Sequence, residues 1–435
     1  MAKVLIETYG CTLNQADSDI MQGLLQKEGH LVESGKYAAG SDYDYVIVNT
    51  CTVKNPTEQR ILDKLSTMKH LGSRLIVTGC MASANQDKIM KRAPRSSIVT
   101  TSNVHKIVDA LSDISAGMQA SYDAYERTDK VASLTPTGSV IARIPISEGC
   151  LSSCNFCGTK FARGPLNSFS SELIIKAIKN AVERGAKEIE LTSQDVGAYG
   201  LDRKTNIAEL VSTALDITGD FKIRIGRLNP EHLVKYFDAL VDVYESRKVY
   251  KFIHLPVQSG SNSVLKEMSR NYSVETFRNF VSELKGKIDD ISIATDMIVG
   301  YPTETDTDFE KSMQLIADTK LSRINISKFG ARPHTKASRL KQIPGTVIKE
   351  RSSLMYRLAR QIEMEALTKV IGTTRQIIVT ENNNISLVGR DDSYRQVAVK
   401  GDSFRLGDIL DVEIFGNTSV CLLGRPVEVI SAINH

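Results

Sequence analysis

The chain has 435 residues, more than one hydrophobic core usually serves, so two or three domains are expected. Hydrophobic residues make up 41% and charged residues 24%, and no apolar run reaches the roughly 18 residues of a membrane span, which argues against an integral helical membrane protein. The net charge of +4 is compatible with a nucleic-acid partner without identifying one, and seven cysteines favour metal or redox chemistry over a disulfide framework.

Residues 1–114 alternate short β-branched runs with amphipathic stretches. Strands are predicted at KVLIETY, DYVIVNT, RLIVTG and SIVTT, with helices from about Asn14 to Gly29, from about Pro56, near Gln86 and over VHKIVDALSDI. This alternation predicts a doubly wound parallel sheet. The opening MAKVLIETYG is typical of a first strand rather than a secretory signal, so a cytoplasmic protein is expected.

Residues 115–139 are rich in Ser, Ala, Gly and Thr and are predicted to be a linker. The alternation then resumes in residues 140–368, where six strands are predicted at ARIPIS, EIELTS, KIRIGRL, KFIHLPV, ISIATDMIVG and SRINISKF. Eight strand–helix units close a full barrel, so six predict an open, partial (β/α)6 barrel. Its active site is expected at the carboxyl ends of the strands.

A long helix is predicted near Ile348 to Lys369, and residues 369–435 then change pattern. The short runs RQIIVTE, ISLVGR, RQVAVK, ILDVEIFG, SVCLLG and PVEVI are separated by Gly and Asn or Asp turns. They predict a small antiparallel β-barrel of the kind that includes OB-like folds. The expected fold class is therefore α/β, with an N-terminal doubly wound parallel sheet, a central partial (β/α)6 barrel and a C-terminal small antiparallel β-barrel.

Three cysteines stand within eight residues in EGCLSSCNFCGTKFARG. Cys150, Cys154 and Cys157, called the central triad, follow the first predicted barrel strand with the spacing C-x3-C-x2-C. A zinc site would need a fourth ligand, and no Cys or His follows Cys157 until His232. A [4Fe–4S] cluster held by three thiolates instead leaves one iron open. The spacing resembles that of the radical S-adenosylmethionine (SAM) superfamily, which implies that the open iron binds SAM and that reductive cleavage yields a 5′-deoxyadenosyl radical.

The same resemblance implies a SAM site at the strand ends of the partial barrel. The candidates are polar or small residues just past predicted strands, together with the aromatic before the last cysteine. They are Phe156, Ser193, Gln194, Asp195, Gln258, Asp296 and Gly300. Gly300 suits close backbone approach around the adenine. For each polar candidate the alternative is a helix-capping or strand-end residue without a ligand.

Cys11, Cys51 and Cys80, called the N-terminal triad, are 40 and 29 residues apart, a spacing that matches no compact metal motif. Each nevertheless follows a predicted strand directly, in TYGC, VNTC and VTGC. Because the carboxyl ends of parallel strands share one edge, the three thiols can converge. This pattern favours a second three-cysteine iron–sulfur cluster over three unrelated buried cysteines, which is the interpretation given to Cys421.

Five segments carry a closer resemblance: YGCTLNQADSD, NTCTVKNPTEQ, EGCLSSCNFCGTKFARG, LTSQDVGAYG and DMIVGYPTET. They resemble the methylthiotransferase family of radical SAM enzymes, and within it the archaeal and eukaryotic tRNA enzymes acting on N6-threonylcarbamoyladenosine. The resemblance covers nearly the whole chain, as a three-cysteine domain over 1–114, a radical SAM core over 140–368 and a TRAM β-barrel over 369–435.

That resemblance implies methylthiolation of C2 of N6-threonylcarbamoyladenosine at tRNA position 37. It further implies two [4Fe–4S] clusters, SAM as both methyl donor and radical source, and a sulfur species held by the cluster of the N-terminal triad. The partner is then tRNA, and a monomer is expected. The sequence identifies neither the sulfur donor nor the electron donor.

Candidate substrate and tRNA contacts are basic residues beside the central triad, in ARPHTKASRLK and in the C-terminal barrel. They are Lys160, Arg163, Arg332, Lys336, Arg339, Arg390, Arg395, Lys400 and Arg405. Lys160 and Arg163 are candidates for a phosphate or the threonyl carboxylate. Residues 369–435 hold seven Lys or Arg against eight Asp or Glu, so tRNA binding there rests on the family resemblance. A solvated surface is the alternative for each.

Two other functions stay open on the sequence. The first keeps the enzyme class but changes the substrate to isopentenyladenosine in tRNA or an aspartate of a ribosomal protein. The second is a non-catalytic RNA-binding protein whose cysteines hold structural zinc.

Overall fold

The structure is a computed structural model that describes residues 1–52, 55–135, 138–383, 385–401 and 404–427. Unit 1 comprises Met1–Arg184, Glu190–Ile217 and Gly330–Arg339, and unit 2 comprises Gly185–Ile189, Thr218–Phe329 and Leu340–His435. The domain boundaries expected from the sequence follow a different division and stay a prediction. Every helix in the described part of the chain is too short or too polar to span a bilayer.

Unit 1 begins with a parallel sheet. Its strands are β1 (Lys3–Thr8), β2 (Leu31–Ser34), β3 (Tyr45–Thr50), β4 (Leu75–Gly79), β5 (Ser97–Val99) and β6 (Ser121–Tyr122). The helices between them are α1 (Thr12–Lys27), α2 (Asn55–Met68), α3 (Cys80–Ala84), α4 (Gln86–Arg92) and α5 (Ile107–Ser115). The strand order is β2-β1-β3-β4-β5-β6, and each neighbouring pair is parallel.

Alternate residues of β1 show why the sheet is buried on both faces. Leu5 packs into a core with Ile61 and Leu65 of α2, whereas Val4 and Ile6 pack on the opposite face into a second core that α1 and α5 supply. Side chains along a strand point alternately to the two faces, so continuous apolar runs fit a sheet covered by helices on both sides. The predicted doubly wound sheet is confirmed.

Two strands of this sheet were not predicted. β2 is an exposed edge strand whose Leu31 is 54% exposed, and β6 is only two residues long, so neither carries a burial period that a sequence pattern could show. β6 lies in the segment predicted as linker and pairs with β5 through Ile98 and Ser121. That segment is therefore more ordered than its composition suggested.

Six strands follow as predicted, with an extra antiparallel pair beside the central triad. The strands are β7 (Ile141–Pro145), β8 (Ser147–Glu148), β9 (Asn167–Ser168), β10 (Glu188–Thr192), β11 (Lys222–Ile225), β12 (Phe252–His254), β13 (Ser292–Val299) and β14 (Arg323–Lys328). The helices are α6 (Thr159–Arg163), α7 (Ser171–Glu183), α8 (Ile207–Leu215), α9 (Pro230–Leu233), α10 (Phe237–Tyr244), α11 (Asn262–Glu267), α12 (Val274–Lys287), α13 (Asp306–Thr319) and α14 (Gly345–Thr368).

The six predicted strands form two three-stranded sheets, β11-β10-β7 and β12-β13-β14. Strand β10 has residues in both units. In unit 1, the Ile146 N–H donates to the Thr192 carbonyl beside β10, and in unit 2 the Leu228 N–H donates to the His254 carbonyl at the end of β12. This succession of parallel strands and helices agrees with the expected partial (β/α)6 barrel. β8 and β9 form the additional pair.

Unit 2 ends in a closed five-stranded barrel. Its strands are β15 (Thr374–Asn382), β16 (Leu387–Asp391), β17 (Gln396–Val399), β18 (Ile409–Asn417) and β19 (Leu422–Pro426), in the order β15-β16-β17-β19-β18. The predicted barrel is confirmed with one correction, because β17 and β19 run parallel and the barrel is not wholly antiparallel. The predicted strand PVEVI merges at its start into β19, and its residues from Glu428 lie outside the described part.

A turn between β16 and β17 attaches this barrel to the rest of unit 2. The Tyr394 hydroxyl donates to Glu188 Oε1 at 2.7 Å, and the Ser393 hydroxyl donates to the Asp290 carbonyl at 2.6 Å. Within unit 2, the barrel is thus held against the β10 and β13 region by specific hydrogen bonds.

Candidate functional site

The N-terminal triad sits at the carboxyl ends of three neighbouring strands. Cys11 follows β1, Cys51 follows β3 and Cys80 follows β4, and these strands lie side by side in the sheet. Asn14 Oδ1 is 3.8 Å from Cys11 Sγ and 3.7 Å from Cys80 Sγ, and Cys51 acts electrostatically on Cys80. The three thiols therefore meet at one edge of the sheet, as the strand positions predicted.

Asn14, which was not singled out in the sequence, sets the geometry between the thiols. Its Nδ2 donates to the Thr50 carbonyl at 2.8 Å and to Asn49 Oδ1 at 3.1 Å, so Oδ1 must face the cysteines. The side chain is fully buried. The only sequence signal was its place in YGCTLN, one turn into α1 from Cys11.

The central triad lies between β8 and α6. The Cys157 N–H donates to the Cys154 carbonyl at 3.2 Å, and the Cys150 N–H donates to the Gly164 carbonyl at 3.3 Å. The pKa of the Cys150 thiol is raised to about 12, chiefly by burial and to a smaller extent by the charges of Asp195, Cys154 and Cys157. Three thiols gathered within eight residues form a donor set that fits an iron–sulfur cluster.

The thiols of the N-terminal triad are likewise a donor set that suits an iron–sulfur cluster. The pKa of the Cys80 thiol is raised to about 11, chiefly by burial and to a smaller extent by Cys11 and Cys51, while the Arg163 guanidinium opposes that shift. Within the described residues, no group of three or more His, Cys, Asp and Glu side chains is arranged as a metal-ion site. A [4Fe–4S] cluster binds each thiolate at a different iron, so its ligands stand further apart than those of one ion.

Two glycines make the tight turns that direct the side chains of the cysteines that follow them. Gly79 precedes Cys80 with φ +86°, and a Cβ there would lie 2.3 Å from the Thr50 carbonyl oxygen. Gly149 precedes Cys150 with φ +74°, and a Cβ there would lie 1.9 Å from the Pro165 carbonyl oxygen. Both positions combine a left-handed backbone with close backbone approach, so only glycine fits.

Four charged side chains form a buried group beside the N-terminal triad, called the buried tetrad: Asp17, Lys130, Glu148 and Arg163. Arg163 Nη1 lies 2.8 Å from both Asp17 Oδ2 and Glu148 Oε1. Lys130 Nζ lies 2.7 Å from Asp17 Oδ1 and also pairs with Glu148. Two cations and two carboxylates thus neutralise each other away from water.

Arg163 corrects a sequence prediction. It was a candidate for a tRNA phosphate or the threonyl carboxylate, but the residue is 1% exposed and its guanidinium is occupied by the buried tetrad. Its Nε instead donates to Cys80 Sγ at 3.4 Å. Lys160, on the same helix, is half-buried and donates to the Ser152 carbonyl and the Ser153 hydroxyl, both at 3.3 Å.

Arg332 lies close to both triads. It is half-buried, pairs with Glu58 at 3.5 Å, and its stem packs on Gly158. Burial lowers the pKa of Arg332, whereas Glu58, Cys51 and Cys157 raise it. One cysteine of each triad is therefore within electrostatic reach of this guanidinium.

One of the strand-end residues of unit 1 interacts with the central triad. Ser193, Gln194 and Asp195 follow β10, and Asp195 acts electrostatically on Cys150. Asp195 Oδ1 accepts from the Gly197 N–H at 3.1 Å, which is a capping role. Ser193 Oγ is buried without a hydrogen-bond partner among the described residues. Phe156 is half-buried within the triad segment.

The SAM candidates of unit 2 have contacts of their own. Asp296 Oδ1 is 3.0 Å from His254 Nε2 and accepts from Asn325 at 3.0 Å. Burial would raise the pKa of Asp296, but the hydrogen bond and charge of His254, with Arg227, hold it below its usual range. Gln258 is buried with φ +73°, a backbone strain that often marks functional positions.

Gly300 is explained by this chain's own packing. Its φ is +81°, and a Cβ there would lie 2.5 Å from Ile348 of α14. Its N–H donates to Glu304 Oε2 at 2.8 Å. The close approach that requires glycine is therefore made by a side chain of unit 2, which removes the reason for placing adenine there.

The basic candidates divide by exposure. Lys336, Arg339, Lys400 and Arg405 are exposed, as a phosphate contact requires. Arg390 and Arg395 are not, because Arg390 pairs with Glu381 at 2.8 Å and Arg395 pairs with Asp391 and Asp290. Their guanidinium groups already pair with carboxylates within unit 2, which weighs against phosphate binding, and their assignment as tRNA contacts stays a prediction.

Comparison with known proteins adds family matches over two segments. Residues 3–101 match the uncharacterized protein family UPF0004, and residues 144–316 match the Radical SAM superfamily. A Pyrococcus abyssi protein named "Probable threonylcarbamoyladenosine tRNA methylthiotransferase" is 38% identical over 434 residues, covering 98% of this chain and 99% of its own. The human threonylcarbamoyladenosine tRNA methylthiotransferase is 31% identical over 436 residues, covering 98% of this chain and 74% of its own.

Two solved structures share the fold. The radical S-adenosylmethionine methyltransferase TsrM of Kitasatospora setae, with cobalamin and a [4Fe–4S] cluster bound, aligns with a TM-score of 0.58 and 12% identity over 78% of this chain and 74% of its own. The cobalamin-dependent radical enzyme OxsB aligns with a TM-score of 0.52 and 13% identity over 83% of this chain and 56% of its own. At these identities the likeness concerns the fold alone.

Replacing Gly149 by alanine should destabilise the protein well beyond the cost of a left-handed alanine. The matched control is Gly185→Ala, where φ is +95° but a Cβ meets nothing within 4 Å, so only the backbone cost of about 1–2 kcal/mol applies. Gly149→Ala adds a clash with the Pro165 carbonyl. Thermal and urea unfolding of both variants measure the difference, and equal losses would contradict the packing role of Gly149.

Proposed function

Because the chain belongs to the radical SAM methylthiotransferase family, we propose that it replaces the C2 hydrogen of N6-threonylcarbamoyladenosine at tRNA position 37 with a methylthio group. The substrate assignment is supported by the names of the archaeal and human relatives, which align over nearly this whole chain. Family membership implies SAM and one [4Fe–4S] cluster. The second cluster and the site residues are part of the proposal.

The observation that carries the proposal is the presence of two separate cysteine triads in unit 1. A radical SAM enzyme needs only the central triad. The N-terminal triad adds three thiols at the carboxyl edge of a sheet, where open α/β folds bind ligands. Arg332 is electrostatically coupled to Cys51 of one triad and Cys157 of the other. A second three-thiolate site this close to the first suits a reaction that joins sulfur to a carbon radical.

Each triad has an assigned task. Cys150, Cys154 and Cys157 would hold the cluster that, with SAM, supplies a 5′-deoxyadenosyl radical able to remove hydrogen from an unactivated C–H. Cys11, Cys51 and Cys80 would hold a second [4Fe–4S] cluster beside which the sulfur is carried. The protein positions both sets of thiolates; Cys51 and Cys80 are buried, Cys11 is exposed, and the three central cysteines are partly buried.

The remaining site residues are assigned by position. Ser193, Gln194 and Asp195 are retained as SAM contacts because Asp195 acts electrostatically on Cys150 and the Ser193 hydroxyl is buried and unsatisfied among the described residues. Phe156, Gln258 and Asp296 are retained on family resemblance. The threonyl carboxylate needs a cation near the central triad. Lys160 and Arg332 are the candidates, since the Arg163 guanidinium is inaccessible.

Incubation with modified tRNA tests the substrate. The anaerobically reconstituted protein, supplied with SAM, a sulfide source and a reductant, should add one CH2S unit to N6-threonylcarbamoyladenosine, as detected by mass spectrometry of digested nucleosides. Cys150→Ala should abolish the product. A product on tRNA bearing isopentenyladenosine instead, or on a ribosomal protein, would replace the proposed substrate with that one.

Iron analysis tests the two clusters. The protein purified anaerobically should hold about eight irons and eight labile sulfides per chain, and replacing either triad with alanine should leave about four of each. Cys421→Ala is the matched control and should retain about eight. Stoichiometric zinc without iron would refute the enzyme assignment, and four irons in the parent would refute the second cluster.

Lys336 and Arg339 are expected to bind tRNA phosphates. Replacing both with alanine should weaken tRNA binding and reduce the slope of log affinity against log salt by about 1–2, because each phosphate contact releases roughly one counterion. Replacing Lys176 and Lys179, two exposed cations on α7, is the control and should change neither quantity. Unchanged affinity of the Lys336 and Arg339 variant at fixed salt would remove this surface from the proposal.

A further inference from the structure

Arg163 connects the segment of the central triad to a ligand of the N-terminal triad. It lies six residues after Cys157, at the end of α6, yet its Nε donates to Cys80 Sγ at 3.4 Å. Its Nη2 also donates to Asn14 Oδ1 at 2.8 Å, the oxygen that lies between Cys11 and Cys80. Arg163 is thus the cation in direct contact with this donor set among the described residues.

The direction of the Nε–H group is determined by the rest of the guanidinium. Nη1 is held by Asp17 and Glu148, both at 2.8 Å, and Nη2 by Asn14. A guanidinium is planar, so two anchored nitrogens leave the third with one direction, here toward Cys80. A lysine in the same place would keep the charge but could not maintain all these bonds.

The surrounding charges keep this group a cation. Burial alone would lower the pKa of Arg163, but Asp17 and Glu148, with Cys80 and Cys11, raise it well above its ordinary value. Lys130 completes the neutral tetrad from the other side, and no contact between Lys130 and a sulfur is seen among the described residues. The two cations of the tetrad therefore differ in one respect, since only Arg163 contacts a cysteine.

We propose that Arg163 is a positioning residue for the second cluster, donating a hydrogen bond to the Cys80 thiolate that holds this ligand in place and raises the reduction potential of that cluster. This inference rests on the second cluster of the proposed function. A donor to a ligand sulfur withdraws electron density, and the reduced cluster, which carries more negative charge, gains more from it than the oxidised one.

Redox titration of the isolated second cluster tests this role. In a Cys150→Ala, Cys154→Ala, Cys157→Ala background only the N-terminal triad can hold iron, and electron paramagnetic resonance follows its reduction. Arg163→Lys keeps the charge of the tetrad and removes the directed donor, so the potential should shift to more negative values. Lys130→Arg, a charge-conserving exchange in the same tetrad, is the matched control and should shift it less.

The outcomes separate the role of Arg163 from the existence of the cluster. A background protein without iron would overturn the second cluster, and with it this inference. A background protein with iron whose potential is unchanged by Arg163→Lys, or shifted equally by Lys130→Arg, would overturn only the role of Arg163. If a folded Arg163→Lys protein lost iron while Lys130→Arg retained it, the result would support the role of Arg163 in keeping the Cys80 ligand in place.

A spectroscopic measurement avoids dependence on the folding of the Arg163 variant. In the same background with Arg332→Lys added, protein labelled with 15N-arginine should show a 15N hyperfine coupling to the reduced cluster in pulsed electron paramagnetic resonance. Absence of that coupling would overturn the contact between Arg163 and the loaded Cys80 ligand.

Discussion

The buried tetrad of Asp17, Lys130, Glu148 and Arg163 is the interaction on which the candidate site depends. It holds α1 against the turn at Lys130, β8 and α6, and Asp17 of α1 lies 113 residues from Lys130 in sequence. Buried ion pairs contribute little net stability because desolvation offsets their attraction, but removing one partner costs about 3–5 kcal/mol. The tetrad therefore acts mainly as a constraint on which segments can lie together. Both triads are attached to it, Cys11 through α1 and the central triad through β8 and α6.

The two triads are built by different means. The central triad is local, so eight residues of chain between β8 and α6 are enough to gather its thiols. The N-terminal triad is gathered by the sheet, because β1, β3 and β4 end at one edge. Gly79 and Gly149 permit tight turns that point Cys80 and Cys150 into their sites. The proposed two-cluster reaction requires both sets of thiolates in one body, and unit 1 contains both triads.

Basic residues were the least predictable part of the site. Arg163, Arg390 and Arg395 looked like phosphate contacts in the sequence, but each is paired with carboxylates inside its own unit. Arginine satisfies buried carboxylates as well as it binds phosphate, because the same planar fork serves both. Only the solvent exposure of Lys336, Arg339, Lys400 and Arg405 separates the two uses, and exposure is a property of the fold.

The sequence by itself determined the elements with a strong period or local spacing: the β1, β3 and β4 strands, the five-stranded barrel and the C-x3-C-x2-C group. It also placed the N-terminal triad at strand ends, because the order of strands and cysteines is linear information. The tertiary structure alone decided the short strands β2 and β6, the orientation of Asn14 and the pairing of Arg163 with Asp17. Lys130 and Asp17 are 113 residues apart, and Arg163 and Asn14 are 149 apart. Contacts at such separations depend on how the segments pack, and no period or spacing along the chain records that.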